Sequence, residues 1–443
     1  MQMKNRLNFL WFLLGLGSQL QVLFSLSITE IILLFWAPFL VSQEYPYLRR
    51  YGLLKLFWLT VFVFVGCLLS LAYNQAEGFR WVRGLSVTGL MICTVVVGCR
   101  MIRTEPAGLK WMFVGSTISA FLCTFVFQKA TEVMIAGSND ATEIMGGTLY
   151  WIQRLDSVLR LPCYYNYLGV PTWYSFFASL YMAMYSIFTS ASGRSAALCL
   201  LGAAAMVIVG GRKQSSMRKI SKHFLLVCIL AIVGIMAAKA GYQYAALSGV
   251  LGEKARDKYE QQTRGGSGIM HLLIAGRAAS FVGFLAIADS PLFGKGYWAP
   301  DTEGYEFEFL KKYGDEEDLA FWVRREQNDA VMGIVRPTRL ISAHSHITAF
   351  WLYFGIAGLL YWLYVLYVIF RYVKEDCWIV PQWFFWLAAG TPALLWSIFF
   401  SPFHSRFGLP LMIVAMLMCR AIREGRYVLP YSMMREIQIA NQK

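Results

Sequence analysis

The chain has 443 residues, of which 57% are hydrophobic and only 15% are charged, and its mean hydropathy is +0.49. Soluble globular proteins carry about 25% charged residues. The composition therefore excludes an ordinary soluble domain and predicts a protein that crosses a membrane many times.

Eleven apolar runs predict membrane-spanning helices. Each is close to the roughly 20 residues that cross a hydrocarbon core of about 30 Å, and its backbone must be helical there because lipid offers no hydrogen-bond partner. The first run has no A-x-A-like cleavage site and is predicted to stay in the protein. The runs are 8–25, 27–42, 51–73, 82–101, 107–128, 171–191, 195–211, 223–242, 347–370, 380–401 and 405–422.

Two polar segments interrupt these runs. Residues 129–170 are mixed, whereas residues 243–345 form one large excursion with 12 Lys/Arg against 14 Asp/Glu. The rest of the chain then holds 40 − 12 = 28 basic and 26 − 14 = 12 acidic residues. This excess of +16 lies mainly in short loops beside apolar runs, so it does not indicate nucleic-acid binding.

Basic residues in short loops predict the cytoplasmic side of a membrane protein. Those near 371–374 and 420–426 place the 243–345 segment outside, which requires a twelfth crossing that 150–170 could supply. On that count Arg194 also lies outside. The basic residues are Arg49, Arg50, Lys55, Arg100, Arg103, Lys110, Arg212, Lys213, Arg218, Lys219, Lys222, Arg371, Lys374, Arg420, Arg423 and Arg426.

The predicted architecture is thus an all-α, polytopic transmembrane helical bundle of about 11–12 spans with one large extracytoplasmic loop. Three regions follow. Residues 1–242 form N-terminal transmembrane helices, and residues 243–346 form the loop with amphipathic helices. Residues 347–443 form C-terminal transmembrane helices and a cytoplasmic tail.

The outer loop contains a helical pattern followed by a turn. Phe281, Phe284, Leu285 and Ile287 recur at helical spacing, and the sequence DSPLFGKG (289–296) follows them. Proline sets a bend there, and its two glycines permit unusual backbone angles. This pattern predicts an amphipathic helix that rests on the membrane surface and ends in a loop. A functional interpretation adds that Arg277, at the polar start, is held where a substrate headgroup could sit.

These motifs resemble the O-antigen ligase and O-antigen polymerase superfamily. The sequence DSPLFGKG begins after eleven residues that follow Arg277. Further along the chain, AHS (343–345) is followed by nine residues and then by GIAG (355–358). In that family a histidine, usually followed by asparagine, stands eleven residues before G-x-x-G, so His344 takes the family position. Ser345 replaces the usual asparagine, and Tyr353 stands where an acidic residue often precedes G-x-x-G. The resemblance covers about 270–422 and implies a GT-C-like fold.

The resemblance implies catalytic residues. His344 is expected to take the proton of an acceptor hydroxyl, and Arg277 to stabilise a departing diphosphate. The family also has an arginine in a small-residue turn; Arg194, in SASGRSAALCLL, fits it better than Arg212, in VGGRKQSSMRKI. Further candidates for substrate contact are Arg212, Arg264, Arg336, Arg339 and His346.

The implied function is polymerisation of surface-polysaccharide repeat units from an undecaprenyl-diphosphate-linked oligosaccharide. The site would face the periplasm from a bacterial inner membrane. The partners would be that donor, an acceptor glycan, membrane lipids and a chain-length regulator, without nucleic acid. We expect no cofactor and no metal. Three alternatives remain: a ligase that transfers the glycan to lipid A-core, a transporter of lipid-linked glycans, and a non-catalytic scaffold.

Overall fold

A computed structural model describes residues 2–18, 21–23, 26–76, 78–125, 278–313, 345–376 and 407–430. It also describes shorter pieces near 244–248, 340–343 and 379–399. This part of the chain is mostly helical. Its helices are α1 (Gln2–Leu16), α2 (Ile28–Arg50), α3 (Leu54–Tyr73), α4 (Gly78–Thr104), α5 (Leu109–Phe125), α6 (Ala278–Asp289), α7 (Tyr305–Tyr313), α8 (His346–Phe354), α9 (Ile356–Arg371) and α10 (Gly408–Arg423). A 3₁₀ turn at Pro106–Gly108 and a π turn at Tyr372–Asp376 adjoin α5 and α9.

Three segments are long and apolar enough to cross a membrane: Leu54–Tyr73, Arg80–Thr104 and Ile356–Asp376. They correspond to α3, α4 and α9 with its π turn. The middle segment is the most buried because α4 packs against α2, α3 and α10, while α3 also packs against α9. These observations support a membrane protein with α4 at the centre of the described helices.

The predicted span 8–25 is wrong as a single helix. α1 ends at Leu16, and the chain then forms a small antiparallel pair between Gln21–Leu23 and Leu26–Ser27. Gly17 and Ser18 form a turn after α1, since both residues favour turns over helix. α2 then begins with a capping box: Ser27 Oγ accepts from the Glu30 N–H and Glu30 accepts from the Ser27 N–H.

The predicted span 347–370 is also wrong as one continuous helix, because the chain breaks at Gly355 into α8 and α9. The rings of His346 and Trp362 lie 5.0 Å apart. Sixteen residues of unbroken helix would separate them by about 24 Å. α8 therefore folds back alongside the start of α9. The predicted spans 171–191, 195–211 and 223–242, and the twelfth crossing within 129–170, lie outside the described residues.

Charged residues from four helices or their ends gather at one end of this assembly. Buried Glu44 of α2 accepts hydrogen bonds from Arg100 at 3.0 Å and from Arg103 at 2.7 Å, both on α4. Arg423 of α10 pairs at 2.6 Å with Glu375, which lies in the π turn after α9. Burial raises the pKa of the Tyr427 hydroxyl, which stays neutral and donates to main-chain oxygens at the end of α4.

Candidate functional site

The two segments that carry the family resemblance lie against each other. The N–H of Lys295, in the DSPLFGKG turn, donates to the carbonyl oxygen of Leu352 at 2.6 Å. In the reverse direction, the N–H of Ile356 donates to the carbonyl oxygen of Leu292 at 3.1 Å. The turn thus supplies the hydrogen-bond partners that the interrupted α8–α9 backbone lacks.

Glycine is required on both sides of this contact. Gly355 has φ of +63°, and a Cβ added there would overlap the carbonyl oxygen of Leu292. Gly294 has φ of +72°, and its added Cβ would lie 2.6 Å from the carbonyl oxygen of Leu352. The glycines of both sequence motifs therefore have a direct structural reason: they let two main chains touch. We call this arrangement the Gly355 interlock.

The fold-back of α8 on α9 buries His346. Its side chain is 3% exposed and its ring packs on Trp362. Phe350, one turn further along α8, packs edge-on against the same indole, with ring centroids 5.4 Å apart. Gly358 allows this approach, because an added Cβ there would overlap the carbonyl oxygen of Phe350. These contacts are those of a core residue, and substrate binding by His346 stays a prediction.

Ser345 is the N-cap of α8. Its hydroxyl oxygen accepts from the Thr348 N–H at 3.2 Å, and its O–H donates to the carbonyl oxygen of Ile398 at 2.9 Å. Asparagine and serine are both strong N-cap residues. An asparagine at this position could therefore cap α8 as well. Because α8 begins after Ser345, His344 precedes the helix.

The end of the α3–α4 hairpin holds the other side of the turn. Asn74 donates to the carbonyl oxygen of Gly294 at 3.0 Å. Arg80, in the first turn of α4, donates through Nε to the carbonyl oxygen of Tyr297 and through Nη2 to that of Lys295, both at 3.0 Å. The planar guanidinium suits two carbonyls at once. We call Arg80 and these two oxygens the Arg80 clamp.

A strained residue follows the clamp. Trp298 has φ of +54°, which is rare for a bulky side chain. The guanidinium of Arg83, one turn after Arg80, lies 3.8 Å from the centre of the Trp298 ring. Tyr297 stacks on the same ring and also on Phe354 of α8. The surroundings therefore hold Trp298 in place, which is typical of strained positions near functional sites.

Charged residues form contacts at both ends of the turn. Lys295 Nζ pairs with Glu303 at 2.8 Å, and the Tyr305 hydroxyl donates to Asp289 at 2.5 Å. Asp301 caps α7 by accepting from the N–H groups of Tyr305 and Glu306. These contacts join both ends of the turn to the start of α7, so the segment 289–306 is one connected unit.

Most of the residues predicted for the site lie outside the described part of the chain. Arg277 directly precedes α6, and His344 directly precedes the cap Ser345. Val282 of α6 and Leu352 of α8 belong to one buried cluster, so α6 and α8 pack together. The predicted residues outside the description are His344, Arg277, Arg194, Arg212, Arg264, Arg336 and Arg339.

Sequence reasoning missed Asn74, Arg80 and Arg83. The sequence did contain a signal. Arg80 and Arg83 stand at the start of the predicted span 82–101, whereas the basic Arg100 and Arg103 stand at its other, predicted cytoplasmic end. Basic residues at the predicted outer end run against the usual bias. That exception indicates a specific partner, which in this structure is the segment 295–298.

No protein-family model matches this chain, and no curated protein matches it significantly. The family resemblance therefore depends on the spacing of the motifs.

Proposed function

We propose that this chain is a membrane glycosyltransferase that polymerises repeat units of a surface polysaccharide carried on a polyprenyl diphosphate. The Gly355 interlock supports the proposal, because it joins the two segments on which the resemblance depends. A chance likeness of two short, separate motifs gives no reason for them to meet main chain to main chain. The proposal includes a GT-C-like arrangement of about 11–12 spans.

In the proposed reaction the hydroxyl oxygen of the acceptor sugar attacks the anomeric carbon of the donor. A glycosidic C–O bond forms, the C–O bond to the diphosphate breaks, and the bonding electron pair leaves with the diphosphate. His344 takes the hydroxyl proton, a role worth roughly 10²–10⁴-fold in rate. Arg277 and Arg194, or Arg212 in place of Arg194, stabilise the charge on the leaving group through forked hydrogen bonds.

Two features of the chain support this assignment of roles. Arg277 directly precedes α6 in the sequence, His344 precedes Ser345, the cap of α8, and these two helices pack against each other. Arginine is permanently charged, and preorganised donors at a developing anion are worth about 10²–10³-fold each. The diphosphate carrier brings its own activation, so the proposal needs no nucleotide.

The proposed location is the inner membrane of a bacterium, with the 243–346 loop in the periplasm. The gathering of Arg100, Arg103, Arg423 and Arg426 at one end supports this orientation, since basic loops favour the cytoplasmic side. The DSPLFGKG turn contacts Asn74 and Arg80, at the opposite ends of α3 and α4. A carrier diphosphate in the outer leaflet would lie at that end.

The test uses a strain that lacks the gene and expresses His344→Ala. We expect one-unit surface glycans in place of a ladder, with the protein still in the membrane at normal level. Arg277→Lys, which keeps the charge but loses the fork, should also shorten the ladder. The control is His223→Ala, which should leave the ladder intact, because His223 follows Lys222 at the predicted cytoplasmic end of the span 223–242.

Three results would overturn the proposal. A normal ladder from His344→Ala at normal protein level indicates a scaffold. Full-length chains that remain on the carrier in the deletion strain indicate a ligase that acts on lipid A-core. Repeat units trapped on the inner face indicate a transporter.

A further inference from the structure

Two stripes of exposed apolar side chains run along helices that can cross a membrane. Within each stripe the residues are three or four positions apart, which places them on one helix face. We interpret these faces as the lipid-facing sides of α3 and α9. The stripe on α3 is Trp58, Phe62, Val65, Leu69 and Tyr73, and that on α9 is Leu360, Leu363, Tyr367 and Phe370.

Helix α6 is apolar on two opposite sides. Val282 and Ile287 are buried against α7 and α8, whereas Phe281, Phe284 and Leu285 are exposed. The helix has no charged residue before Asp289. A helix that rests on a membrane surface carries a charged or polar outer face, whereas the exposed face of α6 carries Phe281, Phe284 and Leu285.

The tip of the DSPLFGKG turn joins the two stripes. Phe293 stacks on Tyr73, the last residue of the α3 stripe, with ring centroids 5.3 Å apart. Leu292 bonds through its carbonyl oxygen to the N–H of Ile356, one helical turn before Leu360 of the α9 stripe. Both tip side chains are exposed. The tip therefore contacts the end of the α3 stripe through a side chain and the start of α9 through its main chain.

The backbone of the turn is compatible with a lipid environment. Non-helical backbone survives at membrane depth only where protein satisfies its polar groups. Beside the bonds of the Gly355 interlock, Trp351 Nε1 donates to the carbonyl oxygen of Pro291 at 2.9 Å. The Gly294 N–H donates to the carbonyl oxygen of Ser290 at 2.9 Å. The turn thus hides main-chain groups while it exposes apolar side chains.

We infer that α6 and the tip Leu292 and Phe293 are inserted among the acyl chains of the leaflet on the Tyr73 side of α3. The 12 residues of α6 extend about 18 Å, well short of a core of about 30 Å. The segment therefore enters and leaves the membrane on one side. Its partner is phospholipid acyl chain, and this inference does not depend on the proposed function.

The test is photocrosslinking in proteoliposomes of phosphatidylethanolamine and phosphatidylglycerol. p-Benzoylphenylalanine replaces Phe284 in one full-length variant and Leu292 in another, and adducts are identified by mass spectrometry. We expect phospholipid adducts at both positions, in a yield comparable with that at Phe62 in the α3 stripe. The matched control is Glu308, which is exposed on α7, and it should give no lipid adduct.

Two outcomes overturn the inference. One is the absence of lipid adducts at both Phe284 and Leu292 in samples where Phe62 gives them. The other is crosslinking of these positions to a second copy of the chain, which would make the surface a dimer interface. Because both positions are exposed, the replacements should not prevent folding, and a second variant remains informative if one fails to accumulate.

Discussion

The carbonyl oxygen of Leu292 lies where a side chain at Gly355 would have to be, and it accepts a hydrogen bond from the next residue, Ile356. The break in the helix and the turn that fills it therefore depend on each other. The turn needs a gap in α8–α9 to dock, and the interrupted helix needs the turn to satisfy its free main-chain groups. Asn74 and Arg80 also hold the turn, and α9 also packs against α3, so this contact adds to those partners.

Gly355→Ala should consequently destabilise the protein more than an ordinary glycine replacement. With φ of +63° and ψ of −149°, Gly355 is in a backbone region that is essentially restricted to glycine and costs another residue about 1–3 kcal/mol. The overlap with Leu292 adds roughly 1–3 kcal/mol as for other overpacked sites. The measurement is the midpoint of SDS-induced unfolding of the purified protein. The hydrogen exchange of the Lys295 amide, which bonds to Leu352, should also accelerate.

Gly304→Ala is the matched control for this change. Gly304 has φ of +74°, but a Cβ added there meets no atom within 4 Å. It therefore carries a cost for positive φ without the overlap. Equal losses in the two variants would show that the contact with Leu292 contributes nothing beyond backbone strain.

Ser345→Ala should destabilise α8 at its start. The change removes the cap, which is worth about 1 kcal/mol, and it removes the bond to the Ile398 carbonyl. Ser345→Asn should lose less, because asparagine caps as well as serine does. The measurement is hydrogen exchange of the Ile347 and Thr348 amides, with unfolding midpoints alongside.

Ser27→Ala is the control for a general effect of losing a helix cap. Ser27→Ala removes a cap from α2, far along the chain from α8, so it should lower the unfolding midpoint without faster exchange at Thr348. If Ser345→Asn exchanged as fast as Ser345→Ala, capping would not explain why both residue types suit this position.

Glu44→Gln should cost roughly 3–5 kcal/mol in the free energy of unfolding, as removal of one partner from a buried ion pair usually does. We expect the lower end, because the Arg100 side chain is 34% exposed and can be hydrated. Glu424→Gln is the control at the same end of the helices. Glu424 pairs with Arg420 but is about one third exposed, so its loss should stay below about 1 kcal/mol.

The two variants are compared by their SDS unfolding midpoints. A similar small loss in both would mean that Glu44 is not essential for holding α2 against α4. A large loss for Glu44→Gln alone identifies this carboxylate as the link between the basic ends of those helices.

Hydropathy alone placed α3, α4 and α5 close to their observed bounds. Each is an apolar run without an internal turn signal, and in such runs backbone hydrogen bonding leaves only the helix. The same reasoning failed at Gly355, because hydropathy does not distinguish a helix that continues from one that folds back on itself. The distinction arises from a contact with Leu292, a residue far away in the sequence.

The spacing of the motifs identified these residues through the family resemblance, but only the structure shows what each of them contacts. The spacing of His344 to Gly355 did not indicate that Ser345 is a cap or that Gly355 accommodates a carbonyl oxygen. Arg80 had no motif at all. Its role depends on the backbone of residues 295–297, whose position a local pattern does not encode.

Arg80→Gln should open the DSPLFGKG turn. The variant leaves the carbonyl oxygens of Lys295 and Tyr297 without their charged donor, and hydrogen bonds to charged groups contribute about 1.5–3 kcal/mol each. A loss of only about 1.4 kcal/mol corresponds to tenfold in an equilibrium constant, so the Lys295 amide should exchange at least about tenfold faster. Arg80→Lys should recover part of the protection, because an ammonium reaches one carbonyl without the planar fork.

Arg83→Gln separates the clamp from the general effect of removing a charge at the start of α4. Arg83 contributes a cation–π contact with Trp298, worth roughly 0.5–2 kcal/mol. Arg83→Gln should therefore accelerate hydrogen exchange of the Lys295 amide much less than Arg80→Gln does. Equal effects would mean that the turn responds to local charge and not to the two carbonyl contacts. Under the proposed function, Arg80→Gln should also shorten the glycan ladder, although Arg80 contacts no reacting atom. Arg80→Lys should restore part of the ladder, just as it restores part of the protection of the Lys295 amide.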